Sequence, residues 1–300
     1  MPALSSQPFR GFSFEFFPPK SAPGRERLSR AIAELAPLRP SFVSVTFGAG
    51  GSTREGSFQT ASEIVRTTGL AVTPHLSCLG STREQVRDQL ETYRTIGVRH
   101  VLALRGDPQN GELPADGARD FQYANDLVAF IRAFGGFRIS VACYPEFHPE
   151  SCDPESDLDN FARKVEAGAD EAISQYFYSN DAYFSFVEQA RRRGVTIPIV
   201  PGLMPITDFK QVERFSQFCG AEIPQWIRKK MASLEGDAAG QEALGIELAA
   251  AQADALLRNG APGIHFYTLN RAEPTRALFE RLGLAELADA APRDEAPIQN

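Results

Sequence analysis

Eight short apolar runs, most of them followed by a stretch with helical periodicity, constrain this chain more than any other feature. They are Phe12–Phe17, Phe42–Phe47, Ala71–Cys78, His100–Leu104, Ile139–Tyr144, Glu171–Tyr178, Ile197–Leu203 and Gly263–Leu269. Each ends at a polar corner or at one marked by Gly or Pro. Alternating strand and helix signals predict a parallel sheet covered by helices. Eight such units in 300 residues predict an α/β fold, a single closed (β/α)8 TIM barrel. Barrel chemistry sits at the carboxyl ends of the strands. The polar residues that end the runs are therefore the first candidates: Glu15, Thr46, His75, Asp107, Tyr144, Gln175 and Arg271.

The periodicity between the runs supplies the helices. Leu28, Ile32, Leu35 and Leu38 predict a helix over Arg25–Leu38, ended by Pro40. Ser81-Thr82-Arg83-Glu84 resembles a capping box and opens the third helix. The polar stretch from Asp107 to about Arg119 is long for a strand-to-helix connection, and such loops are often functional. Asp157–Ala167 reads as a helix stopped by Gly168. Pro198, Pro201 and Pro205 predict an irregular seventh strand. Three helical stretches, Phe209–Phe218, Pro224–Met231 and Gln241–Arg258, lie between strands seven and eight, more than one crossover needs. Pro274–Leu282 is the last barrel helix. The catalytic barrel is expected over residues 1–287, and residues 288–300 as a mobile tail.

Bulk properties exclude several function classes. The formal net charge of −7 argues against nonspecific nucleic-acid binding, which depends on basic phosphate contacts. A local cluster such as Arg163-Lys164 can still meet an anionic ligand. The four cysteines, Cys78, Cys143, Cys152 and Cys219, match no zinc or disulfide spacing. Met1–Arg10 lacks the order of a signal peptide, and no run approaches the ~20 apolar residues that span a bilayer. A soluble, cytoplasmic protein with no membrane partner is the expectation.

Several residues could carry chemistry. Glu15 lies in Phe14-Glu15-Phe16-Phe17, where lost solvation would raise its pKa and make it a general acid. Alternation could instead turn it outward, or it could pair with an arginine. Gly48–Thr53 could bring backbone N–H groups to a phosphate or be a tight turn before a helix. No GxGxxG loop is present, which weakens a Rossmann dinucleotide site. Arg105-Gly106-Asp107 could be a rim salt bridge, or a pair that fixes a ring ligand and its phosphate. His75, Asp107, Glu146 and His148 raise the alternative of a metal-dependent barrel hydrolase or lyase. His100 and His265 read as structural.

Ordered along the chain, seven segments resemble the signatures of one family. They are Phe14-Glu15-Phe16-Phe17-Pro18-Pro19-Lys20; Ser44–Thr53; Pro74-His75-Leu76-Ser77-Cys78; Leu104-Arg105-Gly106-Asp107; Tyr144–Glu150; Pro201-Gly202-Leu203-Met204-Pro205; and His265–Arg271. Together they resemble the methylenetetrahydrofolate reductases over roughly residues 12 to 285. The resemblance implies a barrel that binds FAD at its strand ends. It also implies ping-pong hydride transfer from NADH or NADPH to FAD, and from FAD to 5,10-methylenetetrahydrofolate, giving 5-methyltetrahydrofolate. Folate and a nicotinamide dinucleotide are then the small-molecule partners. The short type is often oligomeric, so a homo-oligomer is compatible with it.

Carried over by position, the resemblance makes Glu15 the acid that helps open the methylene bridge. Asp107 would lie near the flavin's pyrimidine edge. Gln175, Tyr267 and Arg271 would contact substrate, with Phe215 stacking on folate or nicotinamide. Thr46, Phe47, Ala49, His75, Arg105, Gly106 and Tyr123 would line one part of the FAD site. Tyr144, His148, Asp157, Asn160, Arg163 and Lys164 would line the rest, the last two suited by charge to its pyrophosphate. Eukaryotic relatives add a C-terminal domain that binds S-adenosylmethionine, and none is expected here.

Overall fold

Strands and helices alternate throughout the computed structural model, which describes residues 11–47, 54–107 and 120–285. The strands are β1 (Gly11–Phe16), β2 (Phe42–Val45), β3 (Val72–Ser77), β4 (His100–Leu104), β5 (Arg138–Cys143), β6 (Glu171–Tyr176), β7 (Ile199–Leu203) and β8 (Gly263–Tyr267). Each pairs in parallel with its sequence neighbours, and β8 closes onto β1. The helices are α1 (Ala22–Leu35), α2 (Arg54–Thr68), α3 (Arg83–Thr95), α4 (Ala124–Phe134), α5 (Pro154–Glu166) and α6 (Asn180–Arg192). After β7 come α7 (Phe209–Cys219), α8 (Gln225–Ala232) and α9 (Ala238–Arg258), and after β8 comes α10 (Glu273–Leu282). This is the (β/α)8 barrel that the sequence predicts, with the extra helices between strands seven and eight. Among the described residues no helix is long and apolar enough to cross a membrane.

Strand alternation divides the side chains between two environments. In β1, Phe12 and Phe14 point outward and meet Phe279 of α10, with ring centroids 5.0 and 5.7 Å apart. Burying each such ring contributes about 1.5–3 kcal/mol. Ser13 and Glu15 point the other way, into the lumen. Contacts between strands that are not neighbours show this. Phe42 of β2 meets His100 of β4 at 5.0 Å, and Glu15 of β1 meets His75 of β3. The floor of the lumen is polar too: His100 Nε2 bonds Ser140 Oγ at 2.6 Å, and Ser140 donates to Glu171 Oε1 at 2.8 Å. Arg138 also pairs with Glu171. Both His100 and Glu171 are buried at the amino-terminal ends of their strands, opposite the mouth.

Local chemistry moved several element boundaries. Helix α1 starts before Arg25, because the Ser21 hydroxyl accepts the Gly24 N–H and proline stands in its first turn. It ends at Leu35, and a 3-10 turn over Ala36–Leu38 continues the predicted span. The capping box of α3 is one residue later than predicted. Thr82 accepts from Gln85 N at 3.1 Å, and Gln85 Oε1 accepts from Thr82 N at 3.0 Å. Ser81 instead accepts from Arg54 at 2.7 Å.

Strand β7 is regular, contrary to the irregularity predicted from its prolines. Pro198 precedes it and Pro205 follows it. Opposite Pro201, β6 carries an extra residue: Ile173 pairs with Val200, but Tyr176 pairs with Gly202. The irregularity lies in β6, where a bulge accommodates the missing N–H of Pro201. The predicted tail from 288, and the segments 48–53 and 108–119, lie outside the described residues.

Candidate functional site

The carboxyl end of β1 brings Glu15 into the barrel mouth between two imidazoles. His75 Nε2, from β3, lies 3.3 Å from Glu15 Oε2, and His265 Nε2, from β8, lies 3.6 Å from the same oxygen. His265 is fully buried and is oriented from below by Ser13 Oγ, 2.7 Å from its Nδ1. Ser44 Oγ stands 3.5 Å from its other nitrogen. The approach of His75 to Glu15 lacks hydrogen-bond alignment, so its buried Nε2 is unsatisfied.

The charge state of Glu15 departs from the sequence expectation. Burial does push its pKa up, as predicted. Contact with His265 and His75, and their positive charge, outweigh burial and bring it down to about 2. The free site therefore holds a carboxylate. Alternation does not turn Glu15 outward, nor does an arginine pair with it; its partners are the two histidines.

Around this centre the other predicted residues fall on the rim. Thr46, after β2, has a buried hydroxyl with no hydrogen-bond partner among the described residues. Phe47 and His75 share the wall of a cleft with α2 and α3. Arg105, at the end of β4, pairs with Glu150 at 2.5 Å and lies 4.0 Å from Asp107, whose carboxylate is 89% exposed. Gly106 has φ +90, and a Cβ there would stand 2.0 Å from Ser77 Oγ, so the turn brings its backbone close against the Ser77 side chain. Tyr123, at the start of α4, is 60% exposed.

The loop after β5 forms the opposite side. Tyr144 and His148 pack edge to face at 4.7 Å. Asp157 Oδ2 accepts the His148 N–H at 3.2 Å. On α5, Arg163 donates to Asn160 at 2.7 Å, and Lys164 donates to Ala142 O at 2.6 Å. Burial lowers the pKa of Lys164. Glu146 accepts the Glu222 N–H at 2.9 Å, which ties this loop to the segment between α7 and α8. Phe215 projects from α7 with 37% of its surface exposed. Ala49 lies outside the described residues.

On the far side of the lumen, Tyr267 of β8 donates to Ser174 O of β6 at 2.9 Å. It passes over Gly202 of β7, where a Cβ would be 2.7 Å from the tyrosine ring. Gln175, in the β6 bulge, accepts the Tyr176 N–H through Oε1. One guanidinium nitrogen of Arg271 donates to both carboxylate oxygens of Glu242 of α9, at 2.9 and 3.0 Å.

The residues of the metal alternative are not brought together. His75 faces Glu15, Glu146 faces Glu222, His148 Nδ1 accepts the Glu150 N–H, and Asp107 faces outward. Among the described residues no group of three or more His, Cys, Asp or Glu is arranged to hold a metal ion. Sequence reasoning set His265 aside as structural, yet it touches Glu15. The signal was available: in His265-Phe266-Tyr267, alternation puts His265 on the face of Tyr267. Asn270 was also missed; its side chain bonds both the N–H and the C=O of Phe17 and fixes the end of β1.

A closed (β/α)8 barrel with a buried acid–imidazole cluster at the carboxyl ends of its strands defines the class, a barrel enzyme. The family described as methylenetetrahydrofolate reductase matches residues 5–283. The 5,10-methylenetetrahydrofolate reductase of Pectobacterium carotovorum is 39% identical over 272 residues, covering 91% of this chain and 90% of its own. The enzyme of that name from Escherichia coli K12 is 38% identical over the same shares. Methylenetetrahydrofolate reductase (NADH) 1 of Arabidopsis thaliana is 36% identical, over 95% of this chain and 50% of its own. The chain thus belongs to the methylenetetrahydrofolate reductase family of oxidoreductases. A solved structure of a Clostridium thermocellum protein, described as binding two copies of 5-methyl-5,6,7,8-tetrahydrofolic acid, shares the fold. Its TM-score is 0.65 at 13% identity, over 93% of this chain and 96% of that one.

Proposed function

We propose that this chain reduces 5,10-methylenetetrahydrofolate to 5-methyltetrahydrofolate, with reducing equivalents drawn from NADH or NADPH through bound FAD. One observation carries the reading: a largely covered carboxylate, Glu15, between two imidazoles in the mouth of a barrel of this family.

The residues present fit FAD. Thr46 Oγ1, just after β2, is a buried polar atom with no partner among the described residues. Such atoms are costly unless a ligand satisfies them. Gly106 and the Arg105 side chain offer backbone and charge at the end of β4. Arg163 and Lys164 offer cations suited to a pyrophosphate. When bound, FAD would supply the hydride relay between nicotinamide and folate.

The chain's own part is binding, orientation and one proton. Glu15 would hold a proton at the folate nitrogen whose bond to the methylene carbon must break. Breaking it leaves a cationic iminium, able to accept a hydride. Glu15 is ionised in the free site, so it must first take up a proton. Substrate covering the mouth removes the remaining water, which disfavours the carboxylate. The adjacent histidines are the groups able to exchange that proton. Asp107, with its exposed carboxylate, would stabilise the cationic iminium. Phe215 and Tyr267 supply aromatic faces, and Gln175 and Arg271 polar contacts, to the substrate.

The test is the visible spectrum of the purified protein. The expected result is a bound flavin that denaturation releases as FAD, that anaerobic NADH or NADPH bleaches, and that methylenetetrahydrofolate then restores. A colourless protein that FAD cannot reconstitute overturns the reading.

A further inference from the structure

Ser13 and Glu15 stand on the same face of β1, and each reaches a different nitrogen of one imidazole. That imidazole belongs to His265, which β8 sets level with Ser13, just as it sets Tyr267 level with Glu15. The ring is wholly buried. Phe42 of β2 lies nearly parallel to it, with centroids 6.2 Å apart, and Tyr267 stands edge-on at 5.3 Å. Ser13 Oγ is 2.7 Å from Nδ1. Nε2 faces Ser44 Oγ at 3.5 Å and Glu15 Oε2 at 3.6 Å. A half-turn of the ring would put a carbon where Nδ1 now meets Ser13.

This arrangement decides where the ring hydrogen sits. A hydroxyl can donate or accept. Toward a neutral imidazole Ser13 donates to Nδ1, and the single ring hydrogen is on Nε2. Toward a charged imidazole Ser13 accepts from Nδ1, and Nε2 is again protonated. The opposite neutral tautomer would aim the Nε2 lone pair at an ionised carboxylate. In both charge states, then, an N–H faces Glu15. His75 is placed differently: it approaches the same carboxylate oxygen from β3 and lines the wall of the cleft beside α2 and α3.

We infer, resting on the functional reading above for the folate step, that Ser13 and His265 are positioning residues for Glu15. Ser13 fixes the ring hydrogen on Nε2, and that N–H holds the carboxylate in place and ionised until folate covers the mouth. The two imidazoles then have separate tasks. His265 keeps its Nε2 hydrogen, and exchange of the proton with Glu15 falls to His75 at the cleft. The titratable groups that face Glu15 among the described residues are His75, His265 and Tyr267. Burial and the charge of Glu15 raise the Tyr267 pKa, so it stays a neutral phenol. From β2 the Ser44 hydroxyl completes the surroundings.

Nitrogen-15 NMR of the protein labelled at its four histidines reads the tautomer directly, with single substitutions to assign the signals. Wherever the His265 ring is neutral, its hydrogen should be on Nε2. Ser13→Ala should lose that preference, and Ser13→Thr, which keeps the hydroxyl, should retain it. Stopped-flow reoxidation by methylenetetrahydrofolate, followed against pH, reads the consequence. Glu15 must be protonated to act as the acid, so the rate falls as pH rises through its pKa in the complex. Removing a hydrogen bond to the charged form raises that pKa. The fall should therefore move to higher pH, by about one unit in Ser13→Ala and further in His265→Leu. The pH profile of reduction by NADH should not move with it. A merely structural role would slow both half-reactions without moving either profile. A neutral His265 with its hydrogen on Nδ1 in the wild type, or a fall that stays at the wild-type pH in both variants, overturns the inference. A wild-type protein whose reduced flavin is not reoxidised by methylenetetrahydrofolate overturns the functional reading instead, and the tautomer of His265 still decides the role of Ser13.

Discussion

Glu15 is governed by two opposing effects, burial and imidazole contact, and the imidazoles prevail while the mouth is open to water. Opening the methylene bridge needs a proton at nitrogen, whereas taking a hydride from a nicotinamide needs none from the chain. Glu15→Gln keeps the shape and removes the proton. Its reduction by NADH should stay within about tenfold of wild type, while reoxidation by methylenetetrahydrofolate should fall by about 10²–10⁴-fold. Stopped-flow absorbance separates the two steps. Equal slowing of both would make Glu15 a binding or structural residue, and no slowing would move the acid elsewhere. The aromatic flanks of Glu15 were legible as burial. Its charge state was not, because the two histidines that set it lie 60 and 250 residues away in the chain.

At the scale of elements, β6, β7 and β8 act as one unit. The bulge in β6 faces Pro201, the Ser174 hydroxyl accepts the Gly202 N–H at 2.9 Å, and Tyr267 reaches over Gly202 to Ser174 O. Gly202 is the pivot, since a Cβ would lie 2.2 Å from Ser174 O. The neighbour is backbone and cannot swing away. Gly202→Ala should therefore cost about 1–3 kcal/mol of stability, read as a lower urea midpoint. It should also disturb Tyr267 at the mouth. An unchanged midpoint would show that the three strands can slide past one another. Prolines announced trouble in this region, but propensity alone could not say which strand would yield. The same limit appears at α3, where two overlapping capping patterns compete and Asp120, accepting the Arg83 N–H at 2.8 Å, lies beside the later one.

For the whole molecule, the loops at the mouth are tied to one another as well as to the barrel. Arg105 joins the ends of β4 and β5 through Glu150, and Glu146 joins the β5 loop to the segment after α7. Burial raises the pKa of Glu146 from 4.5 to about 7, against a smaller opposing effect of the Glu222 N–H. The folded state then binds more protons than the unfolded state between those two values. Stability must fall as pH rises across that window, and level off above it. Glu146→Gln removes the titration and keeps an amide oxygen for the Glu222 N–H. Urea unfolding at pH 5 and pH 7.5 should show a smaller decline in the variant than in the wild type. An identical decline in both would place the titration elsewhere.

The sequence by itself determined the barrel, the count and order of its strands, the additional helices before the last strand, and most of the rim. These follow from periodicity and local punctuation, which act over a few residues. It also carried the family, through short segments kept in order. Tertiary structure decided which polar residues meet. Glu15, His75 and His265 come from β1, β3 and β8, and only closure of the sheet puts them within 4 Å of one oxygen. The pairing of Arg271 with Glu242 and the tie between Glu146 and Glu222 depend on closure in the same way. Periodicity fixes the face on which a side chain lies, but the charge it carries is set by neighbours that are close in space and distant in sequence.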